Sequence, residues 1–205
     1  MTDSLPPPHR SQWSTWMLAA VGVALLLPVL WPRLQPSVKP QWFDTDMSAP
    51  HPFTDNANVQ RFEQALLRLH PELNAQHPIF IRFTQQHCQC ESLVDGYHEL
   101  MTPLWHKEGF QVLTLDEGDL NQLAKGGLKD IYHWIPSTPA VMVLNGNAGL
   151  AYFGPYHQTG ICNSKNSFLE PVLKAVRDHR PMNIVNTLVQ GCFCRYPSAS
   201  ATSPQ

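Results

Sequence analysis

The sequence predicts an α/β sandwich with a mixed central sheet, preceded by one transmembrane helix. Between residues 56 and 181, short apolar runs typical of strands alternate with helical patterns, and the series ends in a hairpin and a closing helix. Residues 13–31 contain no charged side chain. As a helix, a run of this length spans the ~30 Å apolar layer of a bilayer.

Composition divides the chain into a compact middle and two appendages. The formal net charge of −2 gives no basic surplus, so we expect no nucleic-acid partner. The 19 prolines cluster at the two ends and before residue 55, which is typical of tails and linkers. The predicted units are an N-terminal tail (1–12), a membrane anchor (13–32), a linker (33–55), the α/β domain (56–181), and a C-terminal extension with a disordered tail (182–205).

The apolar run has the features of an uncleaved signal-anchor. Trp13, Trp16 and Trp31 lie at its ends, where aromatic rings favour the membrane interface. No small-x-small cleavage site follows, although a cleaved signal peptide remains the alternative. Five cysteines favour an oxidising compartment. We therefore expect a single-pass protein of a bacterial inner membrane, with the lipid bilayer as a partner and its domain in the periplasm.

Hydrophobic periodicity predicts each element of the domain in turn. A helix through VQRFEQALLRLH has Asn56 or Asn58 as its cap, and a later helix has Asn163 or Ser164 as its cap. A third helical segment starts at Asp119. The remaining elements are a strand at 79–83, a helix from residue 92, a strand at 110–116 and a hairpin at 137–156.

The chemistry-bearing residues form two Cys-x-Cys motifs. Cys88 and Cys90 lie in a polar turn between the first strand and its helix, and Cys192 and Cys194 lie near the C-terminus. A helix N-terminus stabilises a thiolate, so Cys88 and Cys90 are candidates for redox chemistry. A Cys88–Cys90 disulfide would close a tight, strained ring, which favours an oxidising or isomerising role.

These motifs and their order resemble the thioredoxin superfamily over roughly residues 56 to 180. Cys88 follows its strand where that family has a nucleophilic cysteine. Thr138-Pro139 precedes the hairpin as the family's cis-proline does, and Gly154 follows it as a substrate-contacting glycine does. The chain also resembles an uncharacterised group of bacterial membrane-anchored thioredoxin-like proteins.

The resemblance implies a thioredoxin-like sandwich and a thiol–disulfide oxidoreductase or isomerase. Cys88 and Cys90 would be catalytic, and protein thiols and disulfides would be the partners, with no cofactor. The substrate would dock on Thr138, Pro139, His87 and Gly154.

The sequence departs from the family pattern at three positions. His87 stands where the family has tryptophan, Glu91 replaces the usual second cysteine, and Arg82 falls on the position of the family's buried acid.

Two other functions remain open from the residues. Cys88, Cys90, Cys192 and Cys194 are soft ligands suited to Cu(I) or Zn(II), which would make the chain a metal-binding or delivery protein. A redox-inert interaction module held by disulfides is the other alternative. Cys192 and Cys194 could bond to each other or to Cys162, and all three could be resolving or structural thiols.

Overall fold

The computed structural model describes residues 40–46, 48–146, 149–157 and 165–196. The proposed membrane anchor, Cys162 and the C-terminal tail from residue 197 lie outside these ranges. Within the described part of the chain, no helix is long and apolar enough to cross a bilayer.

The described residues form nine strands and five α-helices with one short 3₁₀ helix at Pro52–Thr54. The strands are β1 (Gln41–Trp42), β2 (Ile79–Phe83), β3 (Gln111–Leu115), β4 (Ser137–Thr138), β5 (Ala140–Leu144), β6 (Leu150–Gly154), β7 (Ile184–Val185), β8 (Gln190–Gly191) and β9 (Cys194–Arg195). The helices are α1 (Asn56–Leu69), α2 (Ser92–Lys107), α3 (Glu117–Lys125), α4 (Ile131–Trp134) and α5 (Leu169–Arg177).

A mixed five-stranded sheet with the order β3-β2-β5-β6-β7 lies at the centre. The pairs β2–β3 and β6–β7 are parallel, and β2–β5 and β5–β6 are antiparallel. Two small antiparallel pairs lie outside it, β1 with β8 and β4 with β9. The mixed central sheet expected from the sequence is therefore confirmed.

Apolar side chains pack on both faces of the sheet. Side chains alternate along each strand, so neighbouring residues point to opposite faces. In β2, Ile81 and Phe83 belong to one apolar cluster, which α1 and α3 complete. Phe80 belongs to a second cluster, together with Trp105 of α2 and Val172 of α5. All five residues of β2 are buried, so the turn that follows β2 starts from a fully buried strand in the interior of the sheet.

The helix caps differ from the sequence prediction. The cap of α1 is Asp55, not Asn56 or Asn58, and its carboxylate accepts a hydrogen bond from the Ala57 amide at 2.9 Å. The cap of α3 is Asp116, and Asp119 completes a capping box with it instead of starting the helix. In both helices an aspartate carboxylate earlier in the chain accepts hydrogen bonds from the free backbone amides of the first turn.

The last helix also begins later than expected. It starts at Leu169, after the proposed caps Asn163 and Ser164, which lie outside the described residues. The Ser167 hydroxyl instead accepts a hydrogen bond from the Leu169 amide at 3.1 Å.

Residues on either side of the predicted domain contribute to the same fold. After residue 181, β7 pairs with β6 at the edge of the central sheet. In the predicted linker, β1 pairs with β8, and Phe43 beside it is fully buried. The segment from β8 to Tyr196 thus runs back across the domain towards the turn that carries Cys88.

Candidate functional site

The site is built around the turn between β2 and α2. Within it, the Glu91 amide donates to the carbonyl of Cys88 at 3.2 Å, and the Val94 amide donates to that of Glu91 at 2.9 Å, so the turn leads directly into the helix. His87 has a φ of 63°, a left-handed conformation that histidine adopts more readily than most residues. Its side chain is exposed, whereas Cys88 and Cys90 are buried.

Two disulfides join this turn to the C-terminal segment. Cys88 bonds to Cys194, with their Cα atoms 5.8 Å apart, and Cys90 bonds to Cys192, with their Cα atoms 5.4 Å apart. The two Cys-x-Cys motifs therefore lie side by side and run in opposite directions. Each bond closes a loop of about one hundred residues.

This pairing differs from every pairing considered from the sequence. Cys88 is not bonded to Cys90, and Cys192 is bonded neither to Cys194 nor to Cys162. The physical reason is the return of the C-terminal segment along β4, which brings a partner to each cysteine without the strain of a Cys-x-Cys ring.

The segment before the hairpin lies against the turn and forms the other side of the site. Thr138-Pro139 is a cis peptide, as proposed for the cis-proline position. The Cys88 Sγ lies 3.9 Å from the Thr138 carbonyl oxygen. β4 pairs antiparallel with β9, with Thr138 opposite Cys194 and Ser137 opposite Arg195. Cys88, Pro139 and Cys194 are thus brought together.

Below the turn lies a group of three charged side chains, of which Arg82 and Glu91 are buried and Asp95 is half-buried. Arg82 points from β2 to two carboxylates of the following segment, with its Nη2 2.7 Å from Glu91 Oε2 and in contact with Asp95 Oδ1. The side chains of Arg82 and Glu91 are both about 10% exposed. Burial raises the pKa of Glu91, and the hydrogen bond and charge of Arg82 oppose that rise. Residue 91 therefore places a buried acid next to Cys90.

A buried histidine lies on the other side of this group. His98 on α2 has its Nδ1 3.0 Å from the Tyr156 hydroxyl. Burial, and then the charge of Arg82, lowers the pKa of His98 to about 4. The imidazole is therefore neutral near neutral pH, so it adds no second positive charge beside Arg82.

Gly154, the remaining residue expected to contact substrate, has a packing role in this structure. It lies in β6 opposite Val141 and is buried. Its φ is +152°, and an added Cβ would lie 2.4 Å from the backbone oxygen of Asn186. A side chain at this position is excluded by the close approach of the segment after β7.

The C-terminal strand also borders an open cavity of about 540 Å³. Arg195 and Tyr196 form one side of it, and its wall includes Asp44, Lys129 and Asp130. The sequence signal for this region was weak, because its residues come from three distant segments.

The four sulfur atoms are also the candidate metal ligands. The Sγ atoms of Cys88, Cys90 and Cys194 lie within 4.8 Å of one another, and the Cys192 Sγ is bonded to that of Cys90. As disulfides these sulfurs hold no proton or metal. As thiolates they would offer a soft, four-sulfur donor set of the kind that Zn(II) and Cu(I) prefer.

Fold and site together define a mixed α/β domain whose C-terminal segment is joined by two disulfides to the turn before a helix. Residues 58–196 match the family model described as a domain of unknown function, DUF6436. Because the match covers more than half of the chain and includes both Cys-x-Cys motifs, the chain belongs to this family.

Two solved structures are similar to the chain. An uncharacterised conserved protein from Geobacillus kaustophilus is 12% identical, with a TM-score of 0.44 over 60% of this chain and 79% of that one. A hypothetical protein from Sinorhizobium meliloti 1021 is 14% identical, with a TM-score of 0.41 over 59% of this chain and 79% of that one. No curated protein matches the chain.

Proposed function

We propose that the chain is a membrane-anchored thiol–disulfide oxidoreductase or isomerase of the cell envelope, with a thioredoxin-like domain whose redox pair is Cys88 and Cys194. One observation carries the proposal: the Cys88 sulfur lies in the turn that leads into α2, 3.9 Å from the Thr138 carbonyl oxygen, and is already bonded to a second cysteine. Opening the Cys88–Cys194 bond would free the Cys88 thiol, whose thiolate form is the nucleophile in disulfide exchange. Partners are thiols and disulfides of other proteins.

The reaction requires no cofactor. In the reduced protein the Cys88 thiolate attacks one sulfur of a partner's disulfide, which forms a mixed disulfide and releases the partner's other sulfur as a thiolate that takes a proton from water. The Cys194 thiolate then attacks Cys88, which forms the Cys88–Cys194 bond and releases the partner's second thiolate. The partner gains two electrons and the protein loses two, and the reverse sequence oxidises a dithiol.

The structure changes the role proposed for Cys90. The sequence suggested Cys90 as the resolving thiol, but Cys194 is the residue bonded to Cys88. Cys90 and Cys192 form a second pair beside the first. In this proposal the second pair keeps the C-terminal segment attached to the turn while the first pair opens.

A redox titration of the purified full chain tests the proposal. The chain is equilibrated in graded glutathione buffers, its thiols are trapped, and the bonds are identified by peptide mass spectrometry. We expect the Cys88–Cys194 bond to titrate between about −270 and −120 mV, the range of working oxidoreductases. A bond that remains fully oxidised below about −300 mV would instead be structural and would support the redox-inert alternative.

A matched pair of variants separates the two disulfides. Cys88→Ser should abolish exchange with a model disulfide substrate, whereas the Cys90→Ser/Cys192→Ser variant should retain it. Normal exchange by Cys88→Ser would remove the proposal.

Metal binding is a second candidate, and the proximity of three Sγ atoms favours it. The test uses the fully reduced chain under anaerobic conditions with Co(II) as a spectroscopic substitute for Zn(II). Intense thiolate-to-metal absorption that disappears in the variant lacking Cys90 and Cys192 would support a four-sulfur site. Reduced protein that binds no stoichiometric Co(II), Zn(II) or Cu(I) would exclude it.

A further inference from the structure

The C-terminal segment of residues 193–196 lies on the redox site as an extended peptide. Backbone pairing of β9 with β4 places Cys194 opposite Thr138 and Arg195 opposite Ser137. The Gln85 side-chain amide donates to the Arg195 carbonyl at 3.2 Å. This contact, like the strand pairing, is made to main-chain atoms, so the groove holds the segment partly through groups that every polypeptide has.

The side chains on either side of Cys194 occupy two apolar sites. Phe193 is 6% exposed and packs edge-to-face on Phe43, with ring centroids 5.2 Å apart. Tyr196 is also 6% exposed and packs on Tyr132, with centroids 5.3 Å apart. Its hydroxyl donates to the Thr84 carbonyl at 3.0 Å.

Arg195, between the cysteine and the tyrosine, is exposed. Its guanidinium contacts only the surface hydroxyl of Thr45 among the hydrogen bonds found within the described residues, at 2.7 Å. The groove thus selects an aromatic residue before the cysteine and a second one two residues after it, and leaves the residue between them free.

We propose that this groove is the docking site for the partner polypeptide, and that residues 193–196 are an internal copy of the segment it recognises: an extended aromatic–Cys–x–aromatic stretch whose cysteine is in a disulfide. The inference rests on the proposed oxidoreductase function. Extended peptides are commonly bound in this way, with main-chain hydrogen bonds giving affinity and pockets for side chains giving specificity.

The burial of Cys88 explains why β9 and the partner's peptide must occupy the groove one after the other. Cys88 is only 8% exposed while β9 is in place, so a partner's sulfur reaches it after β9 has left. When β9 returns, Cys194 attacks the Cys88–partner bond. β9 then re-forms its backbone contacts with β4, and the partner must give up those same contacts. Product release and formation of the Cys88–Cys194 bond are therefore one event.

The test measures capture of a synthetic peptide by Cys88. The protein is the full chain with Cys194→Ser, which frees Cys88 and keeps the Cys90–Cys192 bond, and the same chain with Cys88→Ser in addition gives the background from Cys162. The probe is Gly-Phe-Cys-Arg-Tyr with its cysteine as a mixed disulfide to a chromogenic thiol. Its control is Gly-Ala-Cys-Arg-Ala carrying the same leaving group. Attack by Cys88 forms the protein–peptide disulfide and releases the chromogenic thiolate, whose absorbance gives the rate.

We expect the aromatic peptide to react at least ten-fold faster than its alanine control. Tyr196→Ala in the protein should raise this rate further, because it weakens the internal competitor. Tyr132→Leu should reduce the ratio of the two rates towards one, because it alters the site for the second aromatic ring.

The outcomes separate this inference from the proposed function. If Cys88 reacts rapidly with both peptides at equal rates, and Tyr132→Leu changes nothing, the docking inference is wrong and the oxidoreductase proposal stands. If Cys88 reacts with neither peptide faster than it does in the urea-unfolded chain, the proposed function itself fails.

Discussion

Single side chains decide the electrostatics beneath the turn that carries Cys88 and Cys90. Arg82 occupies the position where the resemblance led us to expect an acid, yet an acid is present there, because Glu91 reaches the same buried space from the turn before α2. An arginine this buried requires a carboxylate partner, since an unpaired ion in the interior is costly. Substituting Arg82 or Glu91 alone should therefore lower the free energy of unfolding more than replacing both residues does.

The first prediction concerns the pH dependence of stability through His98. The pKa of His98 is about 4 in the folded protein and 6.5 when unfolded. Between these values the unfolded state binds more protons, so stability falls as the pH drops through that window. The expected loss is about 2 kcal/mol on going from pH 7 to pH 5. Urea denaturation at several pH values measures it.

His98→Asn should remove this loss and keep a polar group near the Tyr156 hydroxyl. His106→Asn, at an exposed histidine of the same helix, provides the matched control variant. If His98→Asn and the unmodified chain show the same slope between pH 7 and pH 5, the histidine is not the cause.

A second prediction separates packing from substrate contact at Gly154. Gly154→Ala places a Cβ against the Asn186 backbone oxygen at 2.4 Å, and overpacking of this kind costs about 1–3 kcal/mol. Gly96→Ala in α2 is the control, because nothing lies within 4 Å of its new Cβ and alanine favours a helix by about 0.5–1 kcal/mol. Thermal denaturation compares the two. A Gly154→Ala chain of unchanged stability but slower exchange would restore the substrate-contact role.

At the scale of elements, the arrangement of the two disulfides makes their contributions interdependent. Each alone closes a loop of about one hundred residues, which stabilises by about 4.7 kcal/mol in the chain-entropy account. Once one bond is formed, the other closes only a ring of about six residues, which the same expression values at about 2 kcal/mol.

The third prediction follows from this interdependence. Replacing Cys90 and Cys192 by Ala, or Cys88 and Cys194 by Ala, should each cost about 2 kcal/mol, whereas replacing all four should cost about 7 kcal/mol. The free energy of unfolding of the three variants, measured in guanidinium without reductant, gives the comparison. If the two pair replacements cost the same, and the fourfold replacement costs the sum of the two, the bonds constrain independent parts of the chain.

At the scale of the whole molecule, the local sequence pattern predicted the helices and strands. It did not predict which cysteines pair with each other across the chain. The apolar run of β2 and the hairpin at β5–β6 were readable because each signal lies within a few residues. The partners of Cys88 and Cys90 were not, since they lie more than one hundred residues away. Their identity depends on how residues 182–196 return across the domain, and two-residue strands such as β8 and β9 carry almost no periodicity.

The final prediction tests where the domain ends. Ending the chain after Pro181 removes β7 from the central sheet, and removes Val189, Phe193 and Tyr196 from the apolar cluster. Burying side chains of this size contributes about 1.5–3 kcal/mol each, so their loss together with both disulfides is comparable with the whole stability of a domain, about 5–15 kcal/mol.

We therefore expect the chain ended after Pro181 to lose its cooperative thermal transition, and the chain ended after Tyr196, the last residue of the family match, to keep the transition of the full protein. Circular dichroism melts of the two truncated chains give the comparison. A cooperative transition in the shorter chain would return the boundary to residue 181 and make the segment from β7 to Tyr196 an attachment to an independently stable domain.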